Sequence, residues 1–392
     1  MIRCVAGLLL LALTASVETA VGQVIAPTAP QTRGPDRRSG LGEIRSWGYQ
    51  LQRADPERVA RSPFDLVVVD YSRNASEAAR FTTADVARMR QRPDGSSRVV
   101  LAYLSIGEAE DYRYYWRKEW VEAVNIVDDA AGLARTPRSH QLEAVGDRAG
   151  VRLKAMRLPK LTAPTWLGRE NESWPGNFFV RYWDPSWQAV IFGGPDGYLE
   201  RIVAAGFDGV YLDRVDTFQV AVGDRPAARQ EMVRFVVELA SRARALRPGF
   251  LVVPQNGEQL LADPGYLAAI DAVAKEDLLY GEEADGRRNP LTTVSRSMRW
   301  LAPAINRGIP VLVVEYVREK GLADVLRADI ERRGFVPYFG IRALDQLMLP
   351  EDLLPPPAPA AAPLPPPQAV TPPPPAREPP RSGKREPARG AL

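Results

Sequence analysis

Short runs of β-branched and aromatic residues alternate along the chain with longer stretches in which apolar residues recur every three or four positions. A short apolar run marks a buried strand, and recurrence near 3.6 residues marks a helix with one covered face. The strand candidates are Ser46–Leu51, Leu66–Tyr71, Val99–Ser105, Phe178–Tyr182, Gly209–Asp213, Phe250–Pro254, Ala272–Lys275, Val311–Glu315 and Phe335–Tyr338. Between Arg225 and Arg247, the residues Met232, Phe235, Val236 and Leu239 fall on one helical face. Strand and helix in alternation predict parallel strands joined by crossover helices, an α/β fold. The architecture expected is a (β/α)8 TIM-type barrel, and nine candidates for eight places leave one as an extra strand or an extended loop. An open doubly wound sheet competes, but no G-x-G-x-x-G or phosphate loop follows the first strand. Polar residues also end nearly every strand instead of gathering at one switch point.

The ends of the chain break this pattern. Residues 1–22 carry Arg3, an apolar run from Val5 to Leu13 and the small-residue site Ala20-Val21-Gly22, which together predict a cleaved signal peptide. The run is shorter than the roughly 20 residues a membrane-spanning helix needs, so the expectation is a secreted or periplasmic protein without a stable membrane span. Residues 23–41 read as a flexible linker, 42–353 as the barrel domain, and 354–392 as a disordered proline-rich tail. The tail's Arg377, Arg381, Lys384, Arg385 and Arg389 outnumber Glu378 and Glu386, which leaves a weak contact with an anionic envelope as one reading and a solvated tail as the other. Few strand signals occur from about Val124 to Asn177, so an elaborated loop is expected after the third strand, with an insertion at about 124–165. Its Trp166 and Trp174 are candidates for a substrate wall.

Composition narrows the chemistry. A net charge of +3 gives no reason to expect a nucleic-acid partner. Cys4 is the single cysteine and leaves with the signal peptide, so no disulfide is expected, and His140 is the single histidine, placed in a polar run. Cys–His and Ser–His–Asp catalysis and histidine-rich zinc sites are therefore poor fits. No cofactor and no metal cage are expected. Carboxylates remain: Asp70, Glu108 with Glu110 and Asp111, Asp184, Asp213 with Asp216, Glu258, Glu276 with Asp277, and Glu315 stand at or just beyond strand ends. In a parallel barrel these ends share one mouth, where active sites are built. Glycoside hydrolysis needs one carboxyl kept protonated and another ionised. Asp213, closing Gly209–Asp213, and Glu258, in Gln255-Asn256-Gly257-Glu258 after the next strand, are the leading pair, with helix capping or an ion pair to Arg214 as the plainer alternative. Trp47, Tyr49, Tyr71, Tyr103, Tyr112, Tyr182, Trp183, Tyr280, Tyr316 and Tyr338 share that edge, where aromatic rings serve either barrel packing or sugar stacking.

The blocks WGYQLQ, FDLVVVDYS, VLAYLSIGEAEDYRYYW, WPGNFFVRYWDPSWQ, GFDGVYLDRVDTF, VVPQNGE, VAKEDLLYGEE, VLVVEYV and GFVPYFGIRALD, in this order from about Ser46 to Leu347, resemble glycoside hydrolase family 114, the endo-α-1,4-polygalactosaminidases and their relatives. The resemblance implies a barrel that cleaves α-1,4 linkages in partly deacetylated galactosamine polymers. It implies Asp213 as nucleophile and Glu258 as acid/base, with Asp70, Asp216 and Glu276 binding substrate or tuning the pair. Tyr49, Tyr71, Tyr103, Glu108, Tyr182, Asn256 and Glu315 complete the expected substrate-binding set. An acid-lined mouth would attract the protonated amines of such a polymer. The sequence departs from the family pattern between Trp120 and Trp166. Two alternatives stay open: hydrolysis of another exported or cell-wall glycan, and a carbohydrate-binding protein without catalysis on the same fold.

Overall fold

The computed structural model describes residues 39–128, 134–135, 152–219 and 227–355. The expected signal peptide, most of the linker, His140 and nearly all of the proline-rich tail lie outside the described residues, as do parts of the insertion.

Eight short strands form the centre: β1 (Trp47–Gln50), β2 (Leu66–Val69), β3 (Val99–Ser105), β4 (Gly209–Asp213), β5 (Leu251–Pro254), β6 (Val273–Glu276), β7 (Val311–Glu315) and β8 (Val336–Phe339). Pairing is parallel throughout, in the order β1-β2-β3-β4-β5 and β6-β7-β8. The two arcs meet where Gln255 bridges in parallel to Ala274 and Asn256 N–H donates to Ala274 O at 2.9 Å. At the other seam Trp47 Nε1–H donates to Val336 O at 2.9 Å, and the Trp47 and Tyr338 rings lie 5.5 Å apart. Strands such as Leu-Val-Val-Val in β2 are fully buried, as expected when side chains face either the barrel interior or the helical layer. Inside, Trp47, Tyr49, Tyr211 and Tyr338 pack ring against ring and floor the mouth.

Helices follow the strands. The one expected at Arg225–Arg247 is found at Ala228–Leu246, burying Met232, Phe235, Val236 and Leu239. Among the described residues, no helix is long and apolar enough to cross a membrane.

The ninth candidate resolves into a different element. Asn177–Val180 pairs antiparallel with both Glu108–Glu110 and Leu167–Glu170, forming a small sheet over the mouth. The insertion is also richer in strands than its sequence suggests, since Val121–Asp128 and Arg152–Pro159 form an antiparallel ribbon. Neither segment alternates cleanly between polar and apolar residues, so the usual strand signal is missing. Trp166 is buried against Trp187 and Trp120, with centroids 4.8 and 5.5 Å away, so it is core of this roof and not a substrate wall. Trp174, half exposed, does line the mouth.

Candidate active site

The C-terminal ends of the strands open into a cleft of about 580 Å³. Of the expected site residues, Tyr49, Asp70, Tyr103, Glu108, Asp213, Asn256 and Glu276 line it. Asp213 ends β4 and Glu276 ends β6, two strands apart, with Gln255 from the end of β5 between them. Gln255 Nε2 lies 3.3 Å from Asp213 Oδ1 and 3.1 Å from Glu276 Oε2. Those two oxygens can therefore be at most 6.4 Å apart, the sum of the two bonds. The amide is oriented by Tyr211, whose hydroxyl donates to Gln255 Oε1 at 2.6 Å and so turns the NH2 toward both acids.

The two acids have different surroundings. Asp213 accepts from the Tyr103 hydroxyl at 2.7 Å and from Arg214 N–H at 2.7 Å. Burial pushes its carboxyl above the usual range, opposed by the Arg214 guanidinium and the Tyr103 hydrogen bond. Glu276 accepts from the Tyr316 hydroxyl and from Asn256 Nδ2 at 3.3 Å. Burial, reinforced by the charge of Asp213 and opposed by Tyr316, raises it to about 6. Glu108 is pushed by burial to about 7 against the pull of Arg214, 3.0 Å away, and of the Asn171 amide at 2.8 Å. Gly107 allows this approach, because a Cβ there would sit 2.2 Å from Arg214 O.

An acid-lined mouth is only part of what is found. Asp70, Glu108, Glu110, Asp213 and Glu276 share the cleft with Arg53, Arg73, Arg113, Arg214 and Arg342. Buried Arg113 binds Asp70 through two nitrogens at 3.0 and 2.7 Å and reaches Glu110 at 2.6 Å. Asp70 is thereby tied up in shaping the wall. Arg214 holds Glu108, Arg342 holds Asp277, Arg73 holds Asp85 and Arg53 holds Asp345. Among the described residues, Asp213 and Glu276 are the lining carboxylates without an ion pair within 4.0 Å.

Five expected residues lie elsewhere. The Tyr71 hydroxyl donates to Glu77 at 2.5 Å and its ring packs on Tyr198, while Tyr182 donates to Ala228 O at 2.9 Å. Glu315 is fully buried, its two oxygens accepting the N–H groups of Leu279 at 2.7 Å and Tyr280 at 3.1 Å. Asp216 sits on the 3-10 turn Val215–Gln219, 3.8 Å from Arg214 and outside the cleft lining. Glu258 is the main correction. Asn256 and Gly257 both adopt left-handed conformations, φ 59° and 61°, and turn the chain away from the mouth. Glu258 then opens the 3-10 helix Glu258–Ala262, buried against Lys275 at 3.5 Å instead of lining the cleft.

The strand-end pattern favours Glu258 over Glu276 and gives no role to Gln255 or Arg113. The usable signal was alternation: on β6, Lys275 and Glu276 must face opposite sides, and only the last residue of the strand faces the mouth. Among the described residues, no cluster of three or more His, Cys, Asp or Glu side chains is arranged to hold a metal ion.

A parallel eight-stranded barrel with two carboxylates clipped together at its C-terminal mouth is the arrangement that barrel glycoside hydrolases use. The model of glycoside-hydrolase family GH114 matches residues 145–352. An uncharacterized protein of Deinococcus radiodurans is 35% identical over 328 residues, covering 82% of this chain and 88% of its own. One from Thermotoga maritima is 32% identical, covering 80% and 86%. The glycoside hydrolase domain of PelA from Pseudomonas aeruginosa is similar in fold, with a TM-score of 0.52 at 22% identity over 78% of this chain and 98% of that one. The chain belongs to glycoside-hydrolase family GH114.

Proposed function

We propose that this hydrolase cleaves α-1,4 linkages within an exported galactosamine-containing polysaccharide, with Asp213 as nucleophile and Glu276 as acid/base. The observation that carries the pair is the Gln255 clip, which keeps the facing oxygens within 6.4 Å. Retaining enzymes space their carboxyl groups about 5–5.5 Å apart, whereas inverting ones leave room for a water at about 6.5–9.5 Å. The spacing supports retention. Glu276, protonated up to about pH 6, gives its proton to the leaving glycosidic oxygen while Asp213 bonds to the anomeric carbon. Water, deprotonated by the now ionised Glu276, then displaces Asp213 and restores both groups.

The hydrogen bonds that Asp213 accepts from Tyr103 and the Arg214 backbone suit an anionic nucleophile. A cationic sugar is favoured by the local charge, since Asp213, the anionic nucleophile without an ion pair among the described residues, stands at the centre of an otherwise balanced cleft. Tyr112 and Trp174, about half exposed on the rim, offer faces for pyranose rings. The apolar N-terminal run and its small-residue site support export of the enzyme to where such polymers lie.

The test is a reducing-end assay on a partly deacetylated galactosamine polymer, its fully N-acetylated form and a panel of neutral glycans, with NMR of the first product anomer. Cleavage of the deacetylated polymer with release of the α-anomer is expected. Cleavage confined to neutral glycans would remove the substrate assignment, and initial release of the β-anomer would remove the retaining one.

A further inference from the structure

Behind the cleft, on the opposite face of β6 from Glu276, a buried lysine meets a buried glutamate. Lys275 Nζ lies 3.5 Å from Glu258 Oε1, and each residue is less than 10% exposed. Glu258 Oε1 accepts no hydrogen bond among the described residues, so Lys275 is its counter-charge. The same ammonium donates to Glu276 O at 2.6 Å and to Asn256 Oδ1 at 3.4 Å. Asn256 Oδ1 also accepts from Glu276 N–H at 3.1 Å, and Asn256 Nδ2 donates to Glu276 Oε2 at 3.3 Å. An unbroken chain of polar contacts thus runs from Glu258 through Lys275 and Asn256 to the carboxylate at the mouth. Asn256 is held in a left-handed conformation, φ 59°, where it serves both ends at once.

We propose that Glu258 and Lys275 are positioning residues, a buried charge pair that fixes Asn256 and through it sets the orientation and proton affinity of Glu276. The inference rests on Glu276 being the acid/base. Desolvating two charges is costly unless they are paired, and a pair confined to packing would need no ammonium aimed at the backbone of the residue that acts. Other charged or titratable groups face this pair and Glu276. Asp213 and Tyr211 come from β4, Tyr49 from β1, Tyr316 follows β7, buried Tyr266 feels Glu258, and Asp277 and Glu315 also feel Lys275.

The two halves of the pair act on Glu276 with opposite sign. Glu258→Gln removes an anion and leaves Lys275 uncompensated, which favours the ionised form of Glu276. Lys275→Met removes the cation and favours the protonated form. The kcat/KM profile of the full chain on the polymer it cleaves should therefore move its alkaline limb down by at least about half a pH unit in Glu258→Gln and up by a similar amount in Lys275→Met. Lys275→Arg should return the limb toward its original position.

Activity losses in both variants with an unmoved limb would mean a packing role and overturn the proposal. Should Lys275→Met fail to fold, as judged by circular dichroism, Glu258→Gln decides alone, since it preserves shape; failure of both to fold also assigns a packing role and overturns it. Glu276→Gln separates the two levels. If that variant stays active, the underlying acid/base assignment falls; if it is inactive while Glu258→Gln leaves the limb unmoved, only the positioning role falls.

Discussion

Gln255 donates both amide hydrogens to the two acids proposed as the catalytic pair, and Tyr211 prevents the amide from flipping. Replacing either acid removes one chemical role. Asp213→Asn and Glu276→Gln should each lower kcat/KM at least about 100-fold with folding intact, measured by reducing-end release; near-normal turnover in either would strike that residue from the pair. Gln255→Glu keeps the shape but exchanges two donors for a third carboxylate. It should lower kcat/KM at least about 10-fold and shift the alkaline limb upward, because an added like charge favours protonated Glu276; a downward or absent shift would mean that Gln255 does not bridge the acids. The place of Asp213 in the cleft was legible in the sequence because it closes an apolar strand with no ambiguity of face. Glu276 was visible only as one acid among several, and Glu258 misled because two successive left-handed residues, one an asparagine, reversed the chain before it. Only Gly257 advertised that turn.

At the level of single elements, the strands were read almost to the residue, since runs such as Leu66–Val69 and Val311–Val314 have no other use for their apolar side chains. The exception, Asn177–Val180, carries the same kind of residues into an antiparallel sheet, and composition does not encode a partner strand. Connections were least legible where backbone conformation departs from composition. Among the described residues, six non-glycine positions have φ between 47° and 65°. Arg53, Ala75, Arg214, Asn256 and Leu344 line the cleft, and Asp277 directly follows Glu276. Such conformations store strain where a site needs fixed side chains. Ala75, at φ 65°, holds no polar contact that a glycine would lose. Ala75→Gly should therefore raise stability by up to about 1 kcal/mol, read as a later urea midpoint; an earlier midpoint would show that the loop carries no strain.

For the molecule as a whole, burial raises carboxyl groups in the barrel that have no arginine partner among the described residues. Glu315 is raised to about 8 and Glu276 to about 6, from an ordinary 4.5. In that interval the folded chain retains protons that the unfolded chain has released, so each rise in pH favours unfolding. The melting temperature should therefore fall steadily between about pH 5 and pH 8, followed by calorimetry at constant ionic strength; a flat or rising profile would mean that these groups are ionised inside the barrel.

The arginines spaced around the mouth neutralise its acids one by one, leaving an uncompensated field at the centre alone. A charged polymer would thus be gripped at the sugar being cut and slide freely over its neighbours. Affinity should respond to added salt with the shallow slope of one or two contacts rather than the steep one of an anionic groove. Such a cleft would move along its substrate at high ionic strength without losing hold of the bond it breaks.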